Sequence, residues 1–204
     1  MRSARARRAL TVALCVALVA GAFVAGPAQA GKKKKKFSCA PATAAAPTEG
    51  HSANAEEAAE AEVVNVTAAH TEEAPLVIEY EHGPALSDAM IEDTLYFAFQ
   101  VVSKTPGFGV YIRQEWPGSM SDMDLYMYDS GGAEVSYSGA YNPAPIPGVT
   151  DSGGNGGQGY ESIPGFPADP CSPYTLESKA YMTMGEPMTL KIWLGEAGDT
   201  YNTP

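Results

Sequence analysis

The sequence predicts an all-β fold, an antiparallel β-sandwich or jelly roll, on three observations. Apolar and polar residues alternate with a period of two in several short stretches, no long stretch repeats at 3.6, and Gly- and Pro-containing turns separate the alternating segments. The clearest segment is Ser121 to Gly132. Met123, Leu125 and Met127 fall on one face of an extended strand, and Asp122, Asp124, Tyr126 and Tyr128 on the other. Asp129-Ser130-Gly131-Gly132 supplies a tight turn, and Ala133 to Ser138 reads as the returning strand of a hairpin.

Taken in order, the first 30 of the 204 residues read as a secretory signal peptide. Arg2, Arg5, Arg7 and Arg8 make a basic start, Ala9 to Val24 an apolar run, and Ala28-Gln29-Ala30 a small-x-small cleavage site. The run is shorter than the roughly 20 residues of a membrane span, so cleavage before Gly31 is expected. Retention as an anchor is the alternative, and the five lysines Lys32 to Lys36 favour it by resisting translocation. Residues 31–73 read as a disordered linker, Lys-rich and then rich in Ala, Glu and Pro, with too few large apolar residues to bury a core.

The sandwich is expected over residues 74–204. Leu76, Ile78 and Tyr80 alternate with Val77, Glu79 and Glu81, and Leu95, Phe97, Phe99 and Val101 with Tyr96, Ala98 and Gln100. Phe108, Val110 and Ile112 continue the pattern, as do Leu190, Ile192 and Leu194 near the end. One wet face per strand means antiparallel sheets. Residues 142–173 break the spacing with a long Gly- and Pro-rich loop in which only Gly159 to Ile163 resembles a strand.

Four of the 13 basic residues lie in the signal, so nine remain against 24 acids, and from Phe37 onward only Lys104, Arg113, Lys179 and Lys191. Such a surface repels nucleic acid and suits divalent cations or basic partners, although solubility alone also accounts for it. The lysine run could tether the mature N-terminus to an anionic envelope polymer or lipid, each lysine contributing about 1 kcal/mol near the surface, a solvated tail being the alternative. Cys15 leaves with the signal, and in an oxidising compartment Cys39 and Cys171 invite one disulfide, two free thiols being the alternative. The bridge would be worth about 4 to 5 kcal/mol on the chain-entropy account.

From Leu76 to Glu196 the chain resembles the bacterial pre-peptidase C-terminal domain. The residues that carry the resemblance are Asp93-Thr94-Leu95-Tyr96-Phe97-Ala98-Phe99, Asp122 to Asp129, Glu134-Val135 with Ser138, and Tyr160-Glu161-Ser162-Ile163. The resemblance implies a calcium-associated jelly-roll module that targets, secretes or attaches secreted proteins. Two features depart from that family: no peptidase precedes the domain, and the Gly-rich loop with Cys171 replaces a short connection.

Candidate chemistry is sparse. Asp122 and Asp124 project from one face about 7 Å apart and could share a hard cation if loops add oxygens. The family's topology would place Asp129 and Glu161 nearby and so make a calcium site conceivable, although no EF-hand-type spacing supplies the six to eight oxygens that calcium takes. The alternative is that these acids hydrogen-bond neighbouring loops or solvate an open face. Tyr126, Tyr128, Tyr137 and Tyr141 suggest either an aromatic platform for sugar or peptide or tyrosines that merely pair across strands. Thr67-Ala68-Ala69-His70 and Asp151-Ser152-Gly153-Gly154 imitate trypsin-like motifs, but a linker and a loop cannot hold His70 and Ser152 in a rigid triad. His51 and His82 have no Cys or His partner at metal spacing. The expected protein is an exported, non-catalytic binding or surface-attachment module for an extracellular protein or polysaccharide. An accessory factor of a secreted peptidase or hydrolase is the alternative, with a cryptic serine protease behind it.

Overall fold

Alternation with a period of two sends every second side chain inward, and the chain accordingly folds as two sheets packed face to face. The computed structural model describes residues 37–48, 54–86, 92–104, 106–117, 121–138, 150–151, 159–183 and 185–196. Its strands are β1 (Val63–Val66), β2 (Leu76–Glu81), β3 (Ala85–Leu86), β4 (Asp93–Val101), β5 (Phe108–Glu115) and β6 (Asp122–Tyr128), followed by β7 (Glu134–Ser138), β8 (Thr150–Asp151), β9 (Tyr160–Pro167), β10 (Pro173–Thr183) and β11 (Pro187–Glu196). The larger sheet runs β1-β4-β10-β6-β7-β8, with β3 beside the end of β10, and the smaller runs β2-β11-β5-β9. Among the described strands the pairings are antiparallel except β1 with β4 and β7 with β8.

The core fills the space between the sheets. Phe99, Met123, Leu125, Met127 and Leu176 come from the larger sheet, and Val110, Ile112, Ile163, Leu190 and Ile192 from the smaller. Each such side chain contributes about 1.5 to 3 kcal/mol by leaving water. The β6–β7 hairpin forms where the sequence places it. Asp129 caps its turn, its carboxylate accepting from the Gly131 and Ala133 amides at 2.8 and 3.0 Å. Gly132 has φ +81°, and the Ala46 carbonyl occupies the place a Cβ would need, so only glycine fits.

Three segments depart from the sequence reading. Residues 31–73 are not wholly outside the fold, because the 3-10 turn Ala55–Glu60 and β1 lie within them. β1 pairs in parallel with Ala98–Val101, and Val66 is fully buried. Four residues are too few to show through the composition around them. Residues 37–48 form a strap over the outer face of the larger sheet. The Ala45 carbonyl accepts from the Thr175 hydroxyl at 2.9 Å, and the Thr48 amide donates to the Gly132 carbonyl at 2.8 Å. A disulfide joins Cys39 to Cys171, 132 residues apart, at a Cα separation of 5.3 Å.

The second departure is β10, which has no counterpart in the sequence reading although it lies between β4 and β6 along eight and seven paired positions. Glu177, Ser178 and Lys179 interrupt its apolar pattern, and all three are buried. The third concerns residues 142–173. β9 extends past Ile163 to Pro167, and Cys171 is bonded, so the end of this stretch belongs to the sandwich. Residues 1–36, 141–149 and 152–158 lie outside the described residues, and with them the signal, the lysine run, Tyr141 and Ser152.

Candidate functional site

The polar face of β6 becomes the outer face of the larger sheet, and cross-strand pairing builds it into one acid and tyrosine layer. Glu177 of β10 lies opposite Tyr96 of β4 and Tyr126 of β6, and Tyr126 lies opposite Tyr137 of β7. Tyr126, Tyr128 and Tyr137 pack as a cluster of their own, with the Tyr126 and Tyr137 rings stacked at 6.3 Å. The structure thus brings three of the four expected platform tyrosines together. It also corrects their role, because Tyr128 is fully buried and the other two nearly so. The Tyr128 hydroxyl donates to the buried Glu177 carboxylate at 2.6 Å, and the Tyr126 hydroxyl to Asp124 at 2.7 Å. Rings held this way close a surface rather than present one to a ligand.

The electrostatics agree with that reading. Burial, then the Asp124 charge, pushes the Tyr126 hydroxyl far above the usual phenol range; burial, then Glu177, does the same to Tyr128. Burial alone would lower Lys179, but its 2.9 Å pair with Glu92 and its contact with Tyr181 raise it.

The four expected calcium ligands do not converge. Asp122 is exposed, Asp124 accepts from Tyr126, and Asp129 caps its turn. Glu161 is buried on β9, in the other sheet, where the Ser138 hydroxyl donates to it. Among the described residues no group of three or more His, Cys, Asp or Glu is placed to hold a metal ion. Strand alternation gave Asp122 and Asp124 a common face, but Asp124, Asp129 and Glu161 each accept from a different donor and Asp122 faces solvent.

A constellation that the sequence reading missed lies between the sheets. His82 follows β2, Asp93 opens β4 and Ser178 sits on the core side of β10. Imidazole Nδ1 lies 3.0 Å from Asp93, Nε2 lies 2.8 Å from the Ser178 hydroxyl, and the Tyr80 hydroxyl lies 3.2 Å from Ser178. A carboxylate only accepts, so Nδ1 donates to Asp93; with the imidazole neutral, Nε2 accepts from the Ser178 hydroxyl and the Ser178 oxygen is left to accept from Tyr80. The Gly83 amide adds 2.7 Å to Asp93. Burial pushes the Asp93 carboxyl up, but the hydrogen bonds from His82 and Gly83 outweigh it and the net shift is downward. The spacing is that of a serine, histidine and aspartate relay, yet Ser178 is 0% exposed and His82 1%. Sequence separations of 96 and 11 residues gave no motif to read.

His70 lies instead in the turn between β1 and β2. Its Nδ1 accepts from the Thr67 amide at 3.0 Å, its carbonyl accepts from Leu194, and burial lowers its pKa. Among the described residues no helix is long and apolar enough to cross a membrane.

No protein-family profile matches the chain, and no curated protein matches it in sequence. Among solved structures the chain is similar to CorA, a surface-associated copper-binding protein important in copper acquisition by Methylomicrobium album BG8. The match covers 65% of this chain and 98% of CorA at 9% identity, with a TM-score of 0.40. So slight a likeness assigns neither a ligand nor a function to this chain.

Proposed function

We propose that the chain is an exported, non-catalytic binding or surface-attachment module of the pre-peptidase C-terminal type. The observation that carries this reading is the disulfide between Cys39 and Cys171, which fastens the strap to the sandwich. Such bonds persist in oxidising compartments. The burial of Ser178 supports a structural rather than catalytic relay, because no substrate carbonyl reaches a hydroxyl without exposed surface.

Fractionation of cells producing the full chain tests the reading. The expected product lacks residues 1–30, lies in the envelope or the medium, and resists alkylation at both cysteines until reduced. A cytoplasmic chain with two alkylatable thiols overturns export. Fluorophosphonate labelling at Ser178 or Ser152 overturns the non-catalytic assignment.

A further inference from the structure

The strap of residues 37–48 crosses the larger sheet at one end of its central strands. The Ala40 carbonyl accepts from Gln100 of β4 at 3.5 Å and the Ala45 carbonyl from Thr175 of β10 at 2.9 Å. The Thr48 hydroxyl and amide both donate to the Gly132 carbonyl, in the turn after β6, at 3.0 and 2.8 Å. Along this crossing Thr175 lies between Ala98 and Tyr128, and all three are buried although alternation turns them away from the core between the sheets. The strap is part of what keeps water off that row.

Little besides a covalent bond holds it there. Of its residues Ala44 and Pro47 are buried, and side chains so small contribute little by leaving water. Fixing each residue of such a segment costs conformational entropy that a few hydrogen bonds offset only in part. The Cys39–Cys171 bond supplies the rest. Because Cys39 precedes every strand described, opening the bond unpairs no strand of the sandwich.

The bond is also placed to open. Cys39 and Cys171 are both partly exposed, and Cys39 borders a groove of about 440 Å³ between residues 39–43 and residues 61–65, room enough for a small thiol. Cys171 has φ +62°, and no other non-glycine among the described residues has a positive φ. A residue with a Cβ is strained in that left-handed conformation. Its amide donates to the Val101 carbonyl at 2.9 Å, so with the sulfur bonded as well the turn cannot relax. Disulfides that are exposed or strained are the labile and regulatory ones.

We propose that Cys39–Cys171 is a thiol-controlled clasp: reduction by a dithiol of the disulfide-exchange class frees the strap and opens the row of Ala98, Thr175 and Tyr128 to solvent while the sandwich stays folded. A thiolate of the reductant bonds to the Cys39 sulfur, the S–S bond breaks, and Cys171 leaves as a thiolate that takes up a proton. The second thiol of the reductant then attacks the mixed disulfide, which returns Cys39 as a thiol and leaves the reductant as a disulfide. Two electrons and two protons pass from the reductant to the cysteines. The clasp goes beyond the reading of the chain as a binding module, and rests on it only in that export closes the bond.

Hydrogen exchange of the mature chain with and without dithiothreitol, well below the melting temperature, tests the clasp. The Thr48 amide is expected to exchange about tenfold faster or more after reduction, while the amides of β4 and β10 keep their protection. Cys39→Ser is expected to show the same fast exchange without reductant. A bond that is reduced only when the whole chain unfolds, a Thr48 amide indifferent to reduction, or an equal loss of protection in β4 and β10 would overturn the clasp. The two readings fail separately: an exported, oxidised chain whose Thr48 amide ignores reduction loses only the clasp, whereas a reduced cytoplasmic chain loses the wider assignment.

Discussion

Two polar clusters lie inside the same sandwich, and they differ in whether their atoms find partners. Around His82, each donor meets one acceptor, from Tyr80 through Ser178 and the imidazole to Asp93. Around Gln114 of β5 the count fails. Gln114 is 0% exposed, and neither Nε2 nor Oε1 has a hydrogen-bond partner among the described residues; the Trp116 indole N–H is in the same condition. The neighbours of Gln114 across the sheet are Glu161 and Leu190. Burial alone therefore says little about a polar residue. Pairing decides whether it holds the fold or weighs on it.

Removing a member from each cluster sharpens the contrast. His82→Leu strips the partner from Ser178 and Asp93 together and is expected to destabilise the protein by about 3 kcal/mol in denaturant or thermal melts. A loss below about 0.5 kcal/mol would make the chain of bonds incidental. Asp93 supplies the next effect. Its pKa in the folded state lies below the ordinary 3.8, so the stability it contributes is present above that value and is lost as pH falls through the lower folded value. Acid melts are expected to show this loss in the parent and less of it in His82→Leu. Equal acid dependence in both would remove Asp93 from the network. The smallest change is expected at Gln114, where Gln114→Met deletes two unpaired atoms at similar volume and should be neutral or stabilising by about 1 kcal/mol. A loss of 2 kcal/mol would show that Gln114 is paired in solution and end the comparison.

The strands with clean alternation were legible in the sequence because one side of each truly faces the core. Leu76 to Glu81, the run from Leu95 to Val101, and the Ser121 to Ser138 hairpin stand where period and turn residues place them. The Cys39–Cys171 pair was legible from compartment and count. β10 was not, since a strand buried on both faces carries its polar residues inside, and Glu177 and Lys179 become acceptable only beside Tyr128 and Glu92. Those partners are 49 and 87 positions away in the chain, and no local pattern reports them. The tyrosines were legible as a group, but not as buried, because the residues around them come from β4, β7 and β10 as well as from β6.

The place of β10 in the chain bears on how the protein is made. It is the shared neighbour of β4 and β6, yet it emerges after both, and among the described residues β11 alone follows it. Until Thr183 has left the ribosome, or the export channel, β4 and β6 present open edges with nothing between them. A product truncated before that point holds most of the apolar core residues without the strand that joins them. Such a product is expected to aggregate or be degraded rather than persist as a smaller domain.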